Sequence, residues 1–212
     1  MTLHSPHLAE RSDEDVLAHP GRRMSEDEFV AWCGEKPRAE WVDGEVLMMA
    51  PVSFEHSDLN AWLLSIARVY VRARQLGTLI GPEFFVRLVA QKRRRLPDIL
   101  FVSAERQHLI RKQVVEGAPD LIFEIVSPDS VSRDWREKYH EYESAGVREY
   151  WVIDPAPQRV EAYALGPSGY ARIQEAEGKL SSLAIPGFYL REAWLWQRPL
   201  PPEADVLREL GI

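Results

Sequence analysis

The segment from Pro119 to Pro155 constrains the fold more than any other part of the chain. It reads as strand, loop, helix and strand in the sequence PDLIFEIVSPDSVSRDWREKYHEYESAGVREYWVIDP. The first strand, residues 121–126, is apolar on both faces except at Glu124, which is typical of a central strand covered on both sides. An unpaired buried carboxylate is costly, so Glu124 is expected to have a metal ion, a cation or a proton as its partner.

The helix that follows carries a second charge on its apolar side. Asp134 is predicted as its N-cap and Gly146 as its end. At about 100° per residue, one apolar stripe contains Trp135, Tyr139, Tyr142 and Ala145. Lys138 falls inside this stripe. Its ammonium group is either aimed at Glu124, or its stem packs while the charged end reaches water, and the helix alone leaves both interpretations open.

Length and composition set the class of protein. The chain has 212 residues, which is enough for one domain with a sizeable core. It has no apolar run of the roughly 20 residues that span a bilayer and no apolar signal core at its start, so we expect a cytoplasmic protein without a membrane partner. The single cysteine, Cys33, excludes an internal disulfide and a cysteine-rich zinc site. We expect a flexible arm at 1–23, a domain at 24–198 and a tail at 199–212.

Basic residues are concentrated in one part of an acidic chain. The net charge is −7, yet eight of the residues from 87 to 113 are basic. Such a zone can contact phosphates, and the residues predicted to do so are Lys92, Arg93, Arg94 and Arg95. A solvated loop of charges explains the same run equally well.

Turn and capping signals predict the remaining elements. Ser25 and Glu28 form a capping box before a short helix, and Asp43-Gly44 is a hairpin turn. We expect the longest helix at about 56–75, further strands at 84–90, 96–102, 148–153, 160–165, 170–174 and 180–184, and a basic turn at 92–95. Helices interleave with strands in the middle of the chain, whereas both ends contain hairpins. This order predicts a single α/β domain with a central mixed sheet flanked by helices and antiparallel hairpins at both ends.

A second carboxylate is predicted close to Glu124. Asp98 opens a buried strand directly after Pro97. Neighbouring strands lie about 4.8 Å apart, so the two carboxylates can share Mg²⁺ with the peptide carbonyl of Ile125. A cation held in this way lowers the pKa of a bound water and stabilises charge on a phosphate oxygen. Lys138 would then steer or deprotonate that water, or balance the developing negative charge.

These residues resemble the PD-(D/E)XK nuclease superfamily, whose magnesium-dependent site takes an Asp after a Pro and a (D/E)-X-K from the next strand. Pro97-Asp98 matches the first part, and residues 124–126 match the second except that Val126 replaces the lysine. The chain is more closely similar to the Uma-two family of bacterial endonucleases in EWVDGEV, LPDILFV, PDLIFEIVSP and RDWREKYHEYESAGVREYWVIDP, over roughly residues 25–196. In that family the catalytic lysine lies on the helix, which implies Lys138. The resemblance implies a restriction-endonuclease-like fold, a DNA substrate, and Mg²⁺ or Mn²⁺ as cofactor.

Four other residues are candidates for the same site. Glu40 and Glu45 flank the hairpin turn, and one of them matches the extra early acid of such nucleases, although a surface charge is the preferred interpretation. His56 opens the long helix and approaches either the site or a structural partner, while Glu83 is a candidate supporting acid. Cutting both DNA strands usually needs two sites, so we expect a homodimer. A nuclease fold kept as a DNA-binding or protein-interaction module is the alternative, and a small-molecule binding protein is a weaker one.

Overall fold

The structure is a computed structural model, which describes residues 23–33, 39–127, 130–131 and 133–212. The predicted N-terminal arm lies outside the described residues except for Arg23. The helices are α1 (Glu26–Cys33), α2 (Phe54–Ala73), a 3-10 helix (Ala104–Leu109), one π-helical turn (Arg133–Glu137), α3 (Lys138–Ala145), α4 (Glu192–Leu195) and α5 (Glu203–Glu209). The strands are β1 (Ala39–Val42), β2 (Glu45–Met48), β3 (Gly77–Ile80), β4 (Phe85–Leu88), β5 (Arg93–Arg95), β6 (Ile99–Ser103), β7 (Val114–Glu116), β8 (Leu121–Ile125), β9 (Glu149–Asp154), β10 (Arg159–Gly166), β11 (Gly169–Arg172), β12 (Leu180–Ser181) and β13 (Tyr189–Leu190).

The strands form two mixed sheets and one short ribbon. The larger sheet has the order β11-β10-β9-β8-β6-β3, in which only β8 and β9 are parallel. The second sheet has the order β2-β1-β5-β4-β7, in which only β4 and β7 are parallel. Strands β12 and β13 pair separately. The α/β class, the mixed pairing and the terminal hairpins are confirmed, and the strands form two larger sheets where one was expected.

The larger sheet separates two hydrophobic cores. Phe123 and Ile125 of β8 pack on the side of α2 and the C-terminal elements. Ile122 and Val126 pack on the other side, against α3 and strands of the second sheet. Because side chains alternate along a strand, Glu124 points to this second side. Strand β8 is therefore covered on both faces, as its sequence predicts.

Local signals in the sequence set several element boundaries. The backbone N–H of Ser25 donates to Glu28 at 2.7 Å, which confirms the capping box at α1. Asp43 and Gly44 both have positive φ, at 51° and 91°, as a tight two-residue hairpin requires. Gly146 ends α3 in the left-handed conformation with φ 85°.

Two local predictions are wrong. The basic run was expected as a turn, but residues 93–95 form β5 between β1 and β4, and the turn precedes them. Asp134 was expected as a helix N-cap, but it lies within the π-helical turn and is buried. Its side chain is directed at Lys138 and not at the free N–H groups of a helix start.

The predicted C-terminal tail is part of the packed structure. Val206 of α5 and Leu210, which follows that helix, are buried in the same core as α2. Trp62 of α2 also donates from its ring nitrogen to the carbonyl of Pro201 at 2.8 Å. The packing therefore extends through residues 199–212. Within the described part of the chain, no helix is both long and apolar enough to cross a membrane.

Truncating Leu210 tests whether this segment stabilises the domain. Leu210→Ala should lower the free energy of unfolding by about 2–3 kcal/mol, because it removes a buried side chain and leaves a cavity. Urea unfolding measures the change. Ile212→Ala is the matched control, since Ile212 is exposed, and it should change stability by no more than about 0.5 kcal/mol. Equal effects of the two substitutions would show that the segment does not pack as described.

Candidate active site

The three residues predicted to carry chemistry meet in one cleft. Asp98 lies just before β6, Glu124 lies in β8, and Lys138 begins α3. The cleft has a volume of about 240 Å³. Its polar lining consists of His56, Asp98, Glu124, Ser127, Ser130, Arg133, Asp134 and Lys138. The structure thus brings together two strands of the larger sheet and the helix that connects β8 to β9.

Lys138 is a buried cation held by carboxylates. Its Nζ lies 2.8 Å from Oε1 of Glu124, 3.1 Å from Oδ1 of Asp134 and 3.9 Å from Oε1 of Glu40. Only 2% of the residue is exposed. Burial opposes the charged form, but these carboxylates outweigh it and raise the pKa of Lys138 above its usual value. The ammonium group is aimed into the site, and the alternative of a solvated lysine end is excluded.

Glu124 is a buried carboxylate with more negative than positive neighbours. Its Oε1 accepts a hydrogen bond from the hydroxyl of Tyr142 at 2.9 Å in addition to the contact with Lys138. Burial raises the pKa of Glu124 to about 8, and the nearby charges of Asp134 and Asp98 add to this, while Lys138 acts against it. Without a bound metal ion, Glu124 therefore keeps a proton up to a pH of about 8.

Asp98 is fixed next to the backbone of β8. Its Oδ2 accepts the backbone N–H of Ile125 at 2.7 Å and lies 3.3 Å from Nε2 of His56. Ser53 caps α2 by accepting the backbone N–H of His56 at 3.1 Å, which sets the position of this histidine in the first helical turn. His56 therefore belongs to the cleft and contacts one of the two predicted metal-binding acids.

Glu40 belongs to the site, which corrects its interpretation as a surface charge. It is fully buried, and it accepts hydrogen bonds from Arg95 at 2.7 Å and from the backbone N–H of Leu96 at 3.0 Å. Burial alone would raise the pKa of Glu40, but Lys138 and Arg95 hold it below its usual value. Glu40 remains charged and helps to compensate Lys138 from the second sheet.

The other two acidic candidates do not line the cleft as the structure describes it. Glu45 forms a surface ion pair with Arg23 at 2.9 Å. Glu83 lies exposed before β4, with a positive φ of 68°. The geometry therefore places both outside the group of acids around Lys138.

The basic run is not a free cationic surface. Arg95 is fully buried and pairs with Glu40 at 2.7 Å and with Glu141 at 2.8 Å. Arg93 contacts the same Glu141, and Arg94 pairs with Glu26 at 2.7 Å. This corrects the predicted phosphate contact of Arg95, which no ligand can reach. Lys92 is the exposed residue of the four.

Asp134 is a site residue that the sequence analysis missed. It lies four residues before Lys138, and its carboxylate also accepts a hydrogen bond from the hydroxyl of Ser130. The backbone carbonyl of Asp134 accepts the hydroxyl of Tyr150 at 2.8 Å, which fixes the π-helical turn on the sheet. The spacing of four residues between an acid and a lysine was the available signal, since such residues face each other on a helix.

The donor atoms suit a hard cation with few protein ligands. Among the described residues, no group of three or more His, Cys, Asp and Glu side chains is arranged to hold a metal ion. Asp98, Glu124 and Ile125 all line the cleft, so the two carboxylates and the peptide carbonyl of Ile125 are the candidate oxygen ligands. Mg²⁺ usually takes one or two carboxylates and keeps several waters, so this smaller set fits it.

The raised pKa of Glu124 predicts a pH-dependent stability for the metal-free protein. Between the usual value of 4.5 and about 8, the folded protein keeps a proton on Glu124 that the unfolded chain has released. Protonated Glu124 therefore makes its full contribution to stability below a pH of 4.5, and this contribution is lost as the pH rises through about 8. Relative to Glu124→Gln, the wild type should lose up to a few kcal/mol across this window. Urea unfolding in EDTA at several pH values measures this, and a difference independent of pH would contradict it.

Comparisons with known proteins agree with this fold. An uncharacterised protein of Synechocystis is 24% identical over 127 residues, which cover 59% of this chain and 71% of that protein. A crystal structure from Anabaena variabilis, described as a putative nuclease belonging to DUF820, superposes with a TM-score of 0.68 at 19% identity, covering 82% of this chain and 97% of that one. This likeness confirms the restriction-endonuclease-like fold class. The Uma2 family, described as "Putative restriction endonuclease", matches residues 26–193, and the chain belongs to that family.

Proposed function

We propose that this protein is a metal-dependent endonuclease that hydrolyses phosphodiester bonds of DNA. The observation that carries the proposal is the position of Lys138, whose Nζ lies 2.8 Å from Glu124 in a cleft that also holds Asp98. Family membership and the fold of the Anabaena protein support a nuclease. Cleavage of both strands would need two such sites, so we propose a homodimer as the form that cuts duplex DNA.

Asp98, Glu124 and the carbonyl of Ile125 would hold the divalent cation, Mg²⁺ or Mn²⁺. The environment of Glu124 supports this assignment, because a cation would offset both the burial that mainly raises the pKa of Glu124 and the repulsion from Asp134 and Asp98 that adds to it. When bound, the cation would supply charge neutralisation at a phosphate oxygen and activation of a water molecule.

The protein side chains have separate roles in this proposal. Lys138 stays protonated because its carboxylate neighbours raise its pKa, so it would donate hydrogen bonds and stabilise negative charge instead of removing a proton. Asp134 and Glu40 hold that ammonium group in place. His56 would orient Asp98 through the contact of 3.3 Å.

A second candidate function is a binding module that has lost catalysis. The burial of Lys138 and Glu124, each 2% exposed, favours it, because the two side chains already contact each other at 2.8 Å and have little surface left for a substrate. Such a module would bind DNA or a protein without cutting. The two functions differ in whether a divalent cation produces cleavage.

Plasmid nicking tests the proposal. The wild type should convert supercoiled DNA to open-circle and linear forms with Mg²⁺ or Mn²⁺ and not with EDTA. Glu124→Gln and Lys138→Met should each lower the rate by roughly 10²–10³, since each removes a group that stabilises charge during the reaction. Quantified gel bands measure the rates.

The matched controls are Glu45→Gln and Lys112→Met, which change an acid and a lysine at the surface. Both should cut like the wild type. Removing one partner of a buried ion pair can cost about 3–5 kcal/mol, so circular dichroism must show that the site variants are folded. Binding of DNA without any metal-dependent cutting would favour the module instead.

A further inference from the structure

Arg133 is a second basic residue of the cleft, beside Lys138. It is the first residue of the π-helical turn, and it lines the cleft together with Asp134 and Lys138. Its Nε is buried without a hydrogen-bond partner, and no carboxylate pairs with it among the described residues. A buried donor without a partner is uncommon in folded proteins and calls for an explanation, such as a missing ligand.

Other cations near the site are already neutralised. Lys138 contacts Glu124 and Asp134 at 2.8 and 3.1 Å, and Arg95 lies between two carboxylates in a fully buried position. An incoming anion could recruit these groups only by breaking contacts that compensate buried charge, which is costly. Among the residues that the structure describes, Arg133 has no carboxylate contact to break, so an anion can bind it at a lower cost than Lys138 or Arg95.

The geometry points to Arg133 as a phosphate-binding residue: we propose that its guanidinium group donates paired hydrogen bonds to oxygens of a backbone phosphate of the bound nucleic acid. Guanidinium suits this role, because its planar fork matches two phosphate oxygens and it remains charged at all physiological pH values. The identity of the ligand as nucleic acid rests on the proposed function. The phosphate contact itself depends on the buried Nε of Arg133, which lacks a hydrogen-bond partner among the described residues.

The acidic residues and Arg133 would therefore act differently on the bound strand. The carboxylates Asp98 and Glu124 face the cleft without attracting a polyanion, and Lys138 only balances their charge. Arg133 would supply the attraction and fix the register of the strand. A contact of this kind adds affinity without reading base sequence.

Binding of a short fluorescein-labelled DNA duplex in EDTA tests the assignment without cleavage. Fluorescence anisotropy should show that Arg133→Gln binds at least about tenfold more weakly than the wild type. The slope of log K against log salt concentration should become shallower by about 0.9, as expected for one lost phosphate contact. Arg133→Lys keeps the charge but not the fork, so it should keep the slope and lose part of the affinity.

Arg136→Gln is the matched control, because Arg136 lies on the same turn and is exposed. It should leave both affinity and slope unchanged. Thermal unfolding must show that Arg133→Gln folds like the wild type. If Arg133→Gln is unfolded, the DNA affinities of Arg133→Lys and Arg136→Lys are compared instead. Inorganic phosphate, followed by titration calorimetry, is the second probe, and its binding should also require Arg133.

The outcomes separate this assignment from the proposed function. Arg133-dependent binding in a protein that never cuts DNA supports the phosphate contact and contradicts the nuclease. Cutting that is unaffected by Arg133→Gln, with unchanged binding, overturns the phosphate contact and leaves the nuclease in place. A wild type that binds neither the duplex nor inorganic phosphate overturns the phosphate contact as well.

Discussion

The attraction between the buried ammonium group of Lys138 and its carboxylate neighbours is the interaction on which the site depends. Taking one such charge out of water costs several kcal/mol, so the cation stays buried only where carboxylates are close. Glu124 at 2.8 Å, Asp134 at 3.1 Å and Glu40 at 3.9 Å meet this requirement. They come from the larger sheet, the π-helical turn and the second sheet. One side chain therefore fixes three parts of the fold relative to one another and determines the shape of the cleft.

The same arrangement explains how the proposed nuclease site would work without a lysine on the central strand. Val126, at the position of that lysine, packs into the second core. Helix α3 lies over the face of the sheet to which Glu124 points. Lys138 can therefore reach the carboxylate of Glu124 from this helix. Chemistry of this type depends on which groups meet and not on which element carries them. The π-helical turn has a part in this placement, because it carries Asp134 and is anchored to the sheet by Tyr150.

The sequence was sufficient where a residue violated a strong local pattern. Glu124 interrupts a strand that is otherwise apolar on both faces, and Lys138 interrupts an apolar helical stripe, so both could be identified. Asp134 and Glu40 violate no such pattern, because an acid before a helix or beside a hairpin turn is usually exposed. Their burial follows from tertiary contacts with Lys138 and Arg95. The pairing of Arg95 with distant acids could not be predicted for the same reason, since charge along a sequence does not specify its partners in space.

Anomalous scattering from Mn²⁺-soaked crystals would decide whether Asp98 and Glu124 form a divalent-ion site beside Lys138. An anomalous peak is expected in the cleft, roughly 2.1 Å from a carboxylate oxygen of each acid, as is usual for small hard cations. The peak should be absent from crystals of Glu124→Gln that are soaked in the same way. Wild-type crystals that bind Mn²⁺ elsewhere, or show no peak between these two acids, would show that Asp98 and Glu124 do not form this site.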